Sequence, residues 1–124
     1  MYHDSLLKLV DENFYWMYVV GFLYAFLTAS SYEWFLAEFI CLTSIVFILK
    51  RMTLRQRQDK SDHYSFPSGH TAMAWFLAFK IPHPITFIWA SLVSYSRVYL
   101  QRHWWSDVIF GFTLTVGINF LFSM

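Results

Sequence analysis

Charge is scarce in this sequence: only 14% of its 124 residues are Asp, Glu, Lys or Arg. That is too little to cover the surface of an ordinary soluble domain. Nor does one sign dominate. Nine Lys and Arg against eight Asp and Glu leave a net charge of +1, which offers no electrostatic footprint for nucleic acid. A single cysteine, Cys41, falls inside an apolar run, so an internal disulfide framework is excluded and the thiol reads as a small buried hydrophobe. There is no internal repeat, low-complexity tract or second domain, and the chain reads as one domain over residues 1–124. The first residues carry Asp4, Asp11 and Glu12 and no basic start before a small-residue cleavage site, so they do not read as a removable signal peptide.

What the sequence has instead is apolar and aromatic residues, 57% and 23% of the chain. They gather into five segments, residues 14–30, 34–49, 70–79, 85–100 and 104–122. A straight crossing of the hydrocarbon takes about 20 residues, with a range of about 17 to 25. Four segments lie near the short end of that range, and the third falls below it. A compact, very hydrophobic soluble bundle is the competing reading. Trp and Tyr crowding the segment ends (Tyr15, Trp16, Tyr32, Trp34, Trp104, Trp105) fit a bilayer better. The expected fold is an all-α integral membrane bundle of about five transmembrane helices. Residues 1–12 alternate Leu6, Leu7, Leu9 and Val10 with charged groups, a pattern for a short interfacial helix or a frayed terminus.

Residues 50–69 form the one long polar stretch, holding Lys50, Arg51, Arg55, Arg57 and Lys60 with Asp59 and Asp62. Counting crossings places it on the same side as the N-terminus and the Arg102–Trp105 turn. Glu38, one turn into the second segment, falls on the other side and is expected to snorkel to the interface.

Two polar clusters share the first side. In Pro67-Ser68-Gly69-His70 the serine is a helix cap, and Gly69 and His70 present backbone N–H groups where an anion can approach closely. A helix start of this kind suits phosphate oxygens, and His70 is placed to give a proton to a departing oxygen. Taken alone, the tetrapeptide is equally a plain cap with an incidental histidine. In the second cluster, His103 and Asp107 stand four apart, on one face of a helix starting near Trp104. A carboxylate there can fix the imidazole tautomer and leave the other nitrogen as nucleophile or base. Arg97 offers a planar fork for phosphate. The alternative is a helix-end salt bridge from Arg97 or Arg102 to Asp107. Lys50 and Arg57 can screen phosphate charge or simply form a solvated basic loop. Together these residues point to phosphoryl transfer through a histidine.

With those spacings the chain resembles the type 2 phosphatidic acid phosphatase superfamily, over residues 50–107. Lys50 and Arg57 have the first motif's spacing, Pro67-Ser68-Gly69-His70 is the second intact, and Ser96-Arg97, His103 and Asp107 complete the third. The resemblance implies that His103 attacks phosphorus with Asp107 orienting it. It makes His70 the acid and sets Lys50, Arg57, Ser68, Gly69 and Arg97 on the phosphate oxygens, with neither metal nor cofactor. It implies a lipid phosphate or diphosphate substrate (phosphatidic acid, phosphatidylglycerol phosphate or undecaprenyl diphosphate type) in a bacterial inner membrane, with the site facing outward. Two departures stand out. Gln58 replaces the usual Pro, and two segments rather than three precede the first motif. These motivate a second reading, a catalytically weak or dead homologue that binds anionic lipids or assists a membrane partner. The absent segment also leads to the expectation of a homodimer that covers the lipid-facing wall.

Overall fold

The computed structural model describes residues 2–60 and 62–123. Six helices follow one another: α1 (Tyr2–Glu12), α2 (Phe14–Thr28), α3 (Tyr32–Thr53), α4 (Gly69–Lys80), α5 (Pro84–Tyr99) and α6 (Trp105–Ser123), with no strand among the described residues. Their ends follow local chemistry. The Ser31 side chain accepts the Trp34 N–H at the start of α3, and Ser68 does the same for Thr71 at the start of α4. His83 and Thr86 form a reciprocal cap on α5, with Pro84 in its first turn, where a missing N–H costs nothing. The five apolar segments become α2 to α6 with shifts of a few residues at most. The largest is at α3, which runs on through Lys50 and Arg51, cations that suit the negative end of the helix dipole. The loop expected over 50–69 therefore occupies 54–68.

Helix α4 is the hub, packed against α2, α3, α5 and α6. Ala72, Ala74 and Ala78 are fully buried and let neighbouring backbones come close around Phe76. One core cluster joins Ala25, Phe35, Leu42, Val46, Phe76, Leu77 and Ile118. The other joins Val10, Phe14, Ala74, Ala90 and Val93. Cys41 is half-buried against the first and is a free thiol. Large apolar side chains cover the outside, with Trp16 74% and Leu27 79% exposed, which an aqueous surface does not tolerate in such number.

One expectation changes and two gain detail. Among the described residues, two helices, α3 and α6, are long and apolar enough to cross a membrane by themselves; α2 is apolar but has 15 residues. Residues 2–12 form helix α1, which packs along α5 and buries Leu7 and Val10 while Leu6 and Leu9 stay exposed. Glu38 does not snorkel. It is 2% exposed and holds Lys80 Nζ at 2.5 Å, because the α4 C-terminus brings an ammonium to it inside the bundle.

Candidate active site

The motif residues converge at one end of the bundle. Lys50 lies in the last turn of α3, the 67–70 run opens α4, Arg97 sits in the last turn of α5, and Asp107 is in the first turn of α6. Loop 54–68 is docked onto the α5–α6 turn by backbone and side-chain bonds. Asp59 N–H donates to the Gln101 carbonyl at 2.9 Å, and Trp104 Nε1 donates to the Gln56 carbonyl at 2.8 Å. The Phe66–Pro67 peptide is cis.

His103 is 1% exposed and held on both sides of its ring. Nδ1 lies 2.7 Å from the Ser65 carbonyl, which can only accept, so Nδ1 carries the proton. Nε2 then presents its lone pair, and Arg57 Nη1 donates toward it at 3.0 Å. Burial lowers the His103 pKa from 6.5 to about 4, with the Asp107 carboxylate opposing and Arg97, Arg57 and Lys50 adding to the fall. The ring is therefore neutral at neutral pH, as a nucleophilic nitrogen must be.

Asp107 is fully buried, but its nearer oxygen stands 3.7 Å from His103 Nδ1, beyond hydrogen-bond range. Its Oδ2 accepts from the Ser65 hydroxyl and from Trp104 N–H, the latter at 2.8 Å. Arg55 Nη1 approaches Oδ1 at 3.4 Å. The tautomer of His103 is thus set by the Ser65 carbonyl, with Asp107 as a charge beside it.

The cations are each anchored. Arg57 Nε donates to Asp62 at 2.7 Å and its Nη1 also reaches the Arg102 carbonyl at 3.1 Å. Burial pushes the Asp62 carboxyl up, but the Tyr64 N–H and Arg57 outweigh it and hold the pKa below the usual carboxylate range. Lys50 Nζ donates to the carbonyls of Tyr64 and Pro67, both at 2.7 Å, which ties α3 to the start of α4. Arg97 Nη1 donates to Asp11 of α1 at 2.7 Å, while its Nε is a buried donor with no acceptor. Neither Arg97 nor Arg102 forms the helix-end bridge to Asp107; Arg102 lies 3.9 Å from Asp59.

Ser68 caps α4 and donates its own proton to Thr71 Oγ1 at 2.9 Å, and its N–H goes to the Asp107 carbonyl at 3.1 Å. Gly69 and His70 therefore supply the first-turn N–H groups that a helix leaves without internal partners. A Cβ on Gly69 would meet Lys50 Cε at 3.8 Å and Val46 Cγ1 at 3.9 Å, ordinary contacts that place this backbone beside the lysine stem. His70 lies against the Phe14 ring at 4.2 Å between centroids and edge-on to Tyr15. It is within electrostatic reach of His103, Arg97, Arg57 and Lys50.

Four contributors escaped the sequence reading: Ser65, Asp11, Asp62 and Phe14. Asp62 and Ser65 sit in the polar loop near the motifs, where proximity was the available signal. Asp11 and Phe14 arrive from the far N-terminal part through packing, and carry no local signal. Among the described residues, no group of three or more His, Cys, Asp or Glu is placed to hold a metal ion.

Two histidines, a buried carboxylate and several cations thus meet at one end of an all-helical bundle whose outside is apolar. The PAP2 superfamily pattern matches residues 50–123, and the chain belongs to that family. Undecaprenyl-diphosphatase from Sulfolobus acidocaldarius is 39% identical over 77 aligned positions, covering 52% of this chain and 34% of that protein. The chain thus spans about a third of the length of that curated relative. The crystal structure of a transmembrane PAP2 type phosphatidylglycerolphosphate phosphatase from Bacillus subtilis superposes with a TM-score of 0.69 at 25% identity. It covers 97% of this chain and 74% of that one.

Proposed function

We propose that the protein is a membrane lipid phosphatase that cleaves a phosphomonoester or diphosphate headgroup through a phosphohistidine, without a metal. The observation that carries this is the His103 ring. With Nδ1 committed to Ser65, the Nε2 lone pair is left for phosphorus, and Arg57 Nη1, which faces it at 3.0 Å, would shift onto a phosphate oxygen as phosphorus takes its place. Arg57, Lys50, Arg97 with its unmatched Nε, and the Gly69 and His70 N–H groups bind the oxygens. Ser68 holds that helix start in place. His103 Nε2 forms the P–N bond as the P–O bond to the lipid breaks, and His70 gives its proton to the leaving oxygen. Water then attacks phosphorus, His70 takes its proton, the P–N bond breaks and phosphate leaves. Gln58 does not dislodge Arg57, whose side chain reaches Asp62, Arg102 and His103, and this favours an active enzyme over a dead homologue.

The names of the two relatives support phosphatidylglycerol phosphate and undecaprenyl diphosphate as substrate types, with phosphatidic acid beside them. An apolar groove of about 500 Å³ between α1, α2 and α5, lined by Leu9, Val10, Trp16, Ile88 and Leu92, suits a lipid chain. In this reading α2 to α6 all cross the membrane of a bacterial cell, the shorter ones in a locally thinned bilayer, with the site facing outward. A thiol label applied outside intact cells to Lys60→Cys, in a Cys41→Ala background, tests the orientation: labelling is expected, and protection reverses it. The chemistry is tested by phosphate release from a panel of lipid phosphates in detergent with a chelator present. Release by wild type and not by His103→Ala is expected. Equal release by both, or loss on adding chelator, would contradict the mechanism or its metal independence respectively.

A further inference from the structure

The family's motifs do not include Ser65, yet this residue is fully buried and touches both members of the histidine–aspartate pair. Its backbone is fixed by its N–H to the Arg55 carbonyl at 3.0 Å. From that fixed backbone the carbonyl faces His103 Nδ1 and the hydroxyl faces Asp107 Oδ2. We propose that Ser65 is a positioning residue, whose hydroxyl restrains the Asp107 carboxylate beside the His103 ring while its carbonyl keeps the Nδ1 proton. The inference rests on His103 being the nucleophile.

The physical argument concerns competition for one proton. A carboxylate is a stronger acceptor than a carbonyl, so an unrestrained Asp107 would take the Nδ1–H bond from Ser65. It does not, because Oδ2 already receives the Ser65 hydroxyl and the Trp104 N–H, and Oδ1 faces Arg55. The result is a 3.7 Å gap between carboxylate and ring. Around the ring stand Asp107 of α6, Arg57 and Arg55 of the loop, Lys50 of α3, Arg97 of α5 and His70 of α4. Only Asp107 among them favours an imidazolium. Letting it close on Nδ1 therefore raises the proton affinity of Nε2 and turns the ring away from the geometry Ser65 imposes.

The test measures kcat, KM and the pH profile of phosphate release from phosphatidic acid in detergent micelles, for wild type, Ser65→Ala, Asp107→Asn, the double variant and His103→Ala. Thermal unfolding reports the folded fraction of each. Ser65→Ala is expected to lower kcat about tenfold with KM within about twofold, and to move the acid limb up by about half a pH unit. Adding it to Asp107→Asn should cost little more, since the hydroxyl acts through that carboxylate. If Ser65→Ala does not fold, Ser65→Cys, with a weaker donor, should show the same shifts in smaller measure. An unchanged kcat and acid limb overturns the proposal, as does activity that falls only with the folded fraction or a fully additive double variant. In either case an inactive His103→Ala leaves the nucleophile assignment standing. An active His103→Ala overturns both.

Discussion

His103 shows most plainly how burial sets chemistry. With its pKa lowered to about 4, the neutral ring persists well below neutrality, and under the proposed mechanism activity should fall on the acid side only as pH drops toward that value. The sign for stability follows from the same shift. The unfolded chain takes up this proton near 6.5 and the folded one near 4, so stability declines as pH falls between those values and levels off below them. Thermal unfolding at pH 7 and pH 4.5 should show a smaller loss for His103→Gln than for wild type. Gly111 makes a second residue-scale prediction. A Cβ there would lie 2.8 Å from the Ser68 carbonyl, where α6 passes the start of α4. Gly111→Ala should cost about 1–3 kcal/mol and reduce turnover by pushing the phosphate-facing turn outward, measurable by thermal unfolding and kcat. At this scale the motif residues were legible, because their chemistry is tied to fixed spacings. Ser65 and Gly111 were not, since neither the partners of a lone loop serine nor the space left by a missing Cβ shows in a sequence pattern.

The elements were legible wherever a run of apolar residues ended in a recognisable cap. Ser68 before Gly69-His70 marks α4. What could not be read was the partner of each face. The alternation of Leu7 and Val10 with charged residues suits a membrane surface as well as it suits α5, and only tertiary packing decides. That packing matters to the site, because Asp11 is the partner of Arg97 and Phe14 covers His70. Asp11→Ala should leave a 6% exposed guanidinium without its carboxylate and destabilise the fold by about 3–5 kcal/mol. It should also raise KM more than it lowers kcat if Arg97 serves chiefly to bind the phosphate. Unaltered KM with full stability would show that α1 is merely draped over α5. Loop 54–68 is held by hydrogen bonds to the α5–α6 turn, so Trp104→Phe, which deletes the Nε1 bond to Gln56, should cost about 1 kcal/mol and quicken proteolysis within the loop.

Across the whole molecule, polar groups are concentrated at its two ends. One end carries His70, His103 and most cations. The other end holds Glu38 and Lys80, with Asn119 at 3.4 Å from the ammonium, beside a cavity of about 490 Å³ bounded by Ser30, Ser31, Trp34 and Phe122. Lys80→Met strands Glu38 in the bundle and should destabilise it by about 3–5 kcal/mol, while Glu38→Met with Lys80→Met should recover most of that. KM should stay unchanged in both, because the pair is at the end away from the phosphate site. The fold class and the one-sided placement of the motifs followed from alternating apolar runs and polar turns. The role of Glu38 did not, because a carboxylate near a helix start looks alike in sequence whether it meets water or a lysine from another helix. The account as a whole stands on His103 forming a bond to phosphorus. Wild type mixed with phosphatidic acid labelled in its phosphate, quenched in alkali within milliseconds and digested, should carry acid-labile label on His103, absent from His103→Ala. Label on another residue, or full turnover by His103→Ala, would contradict it.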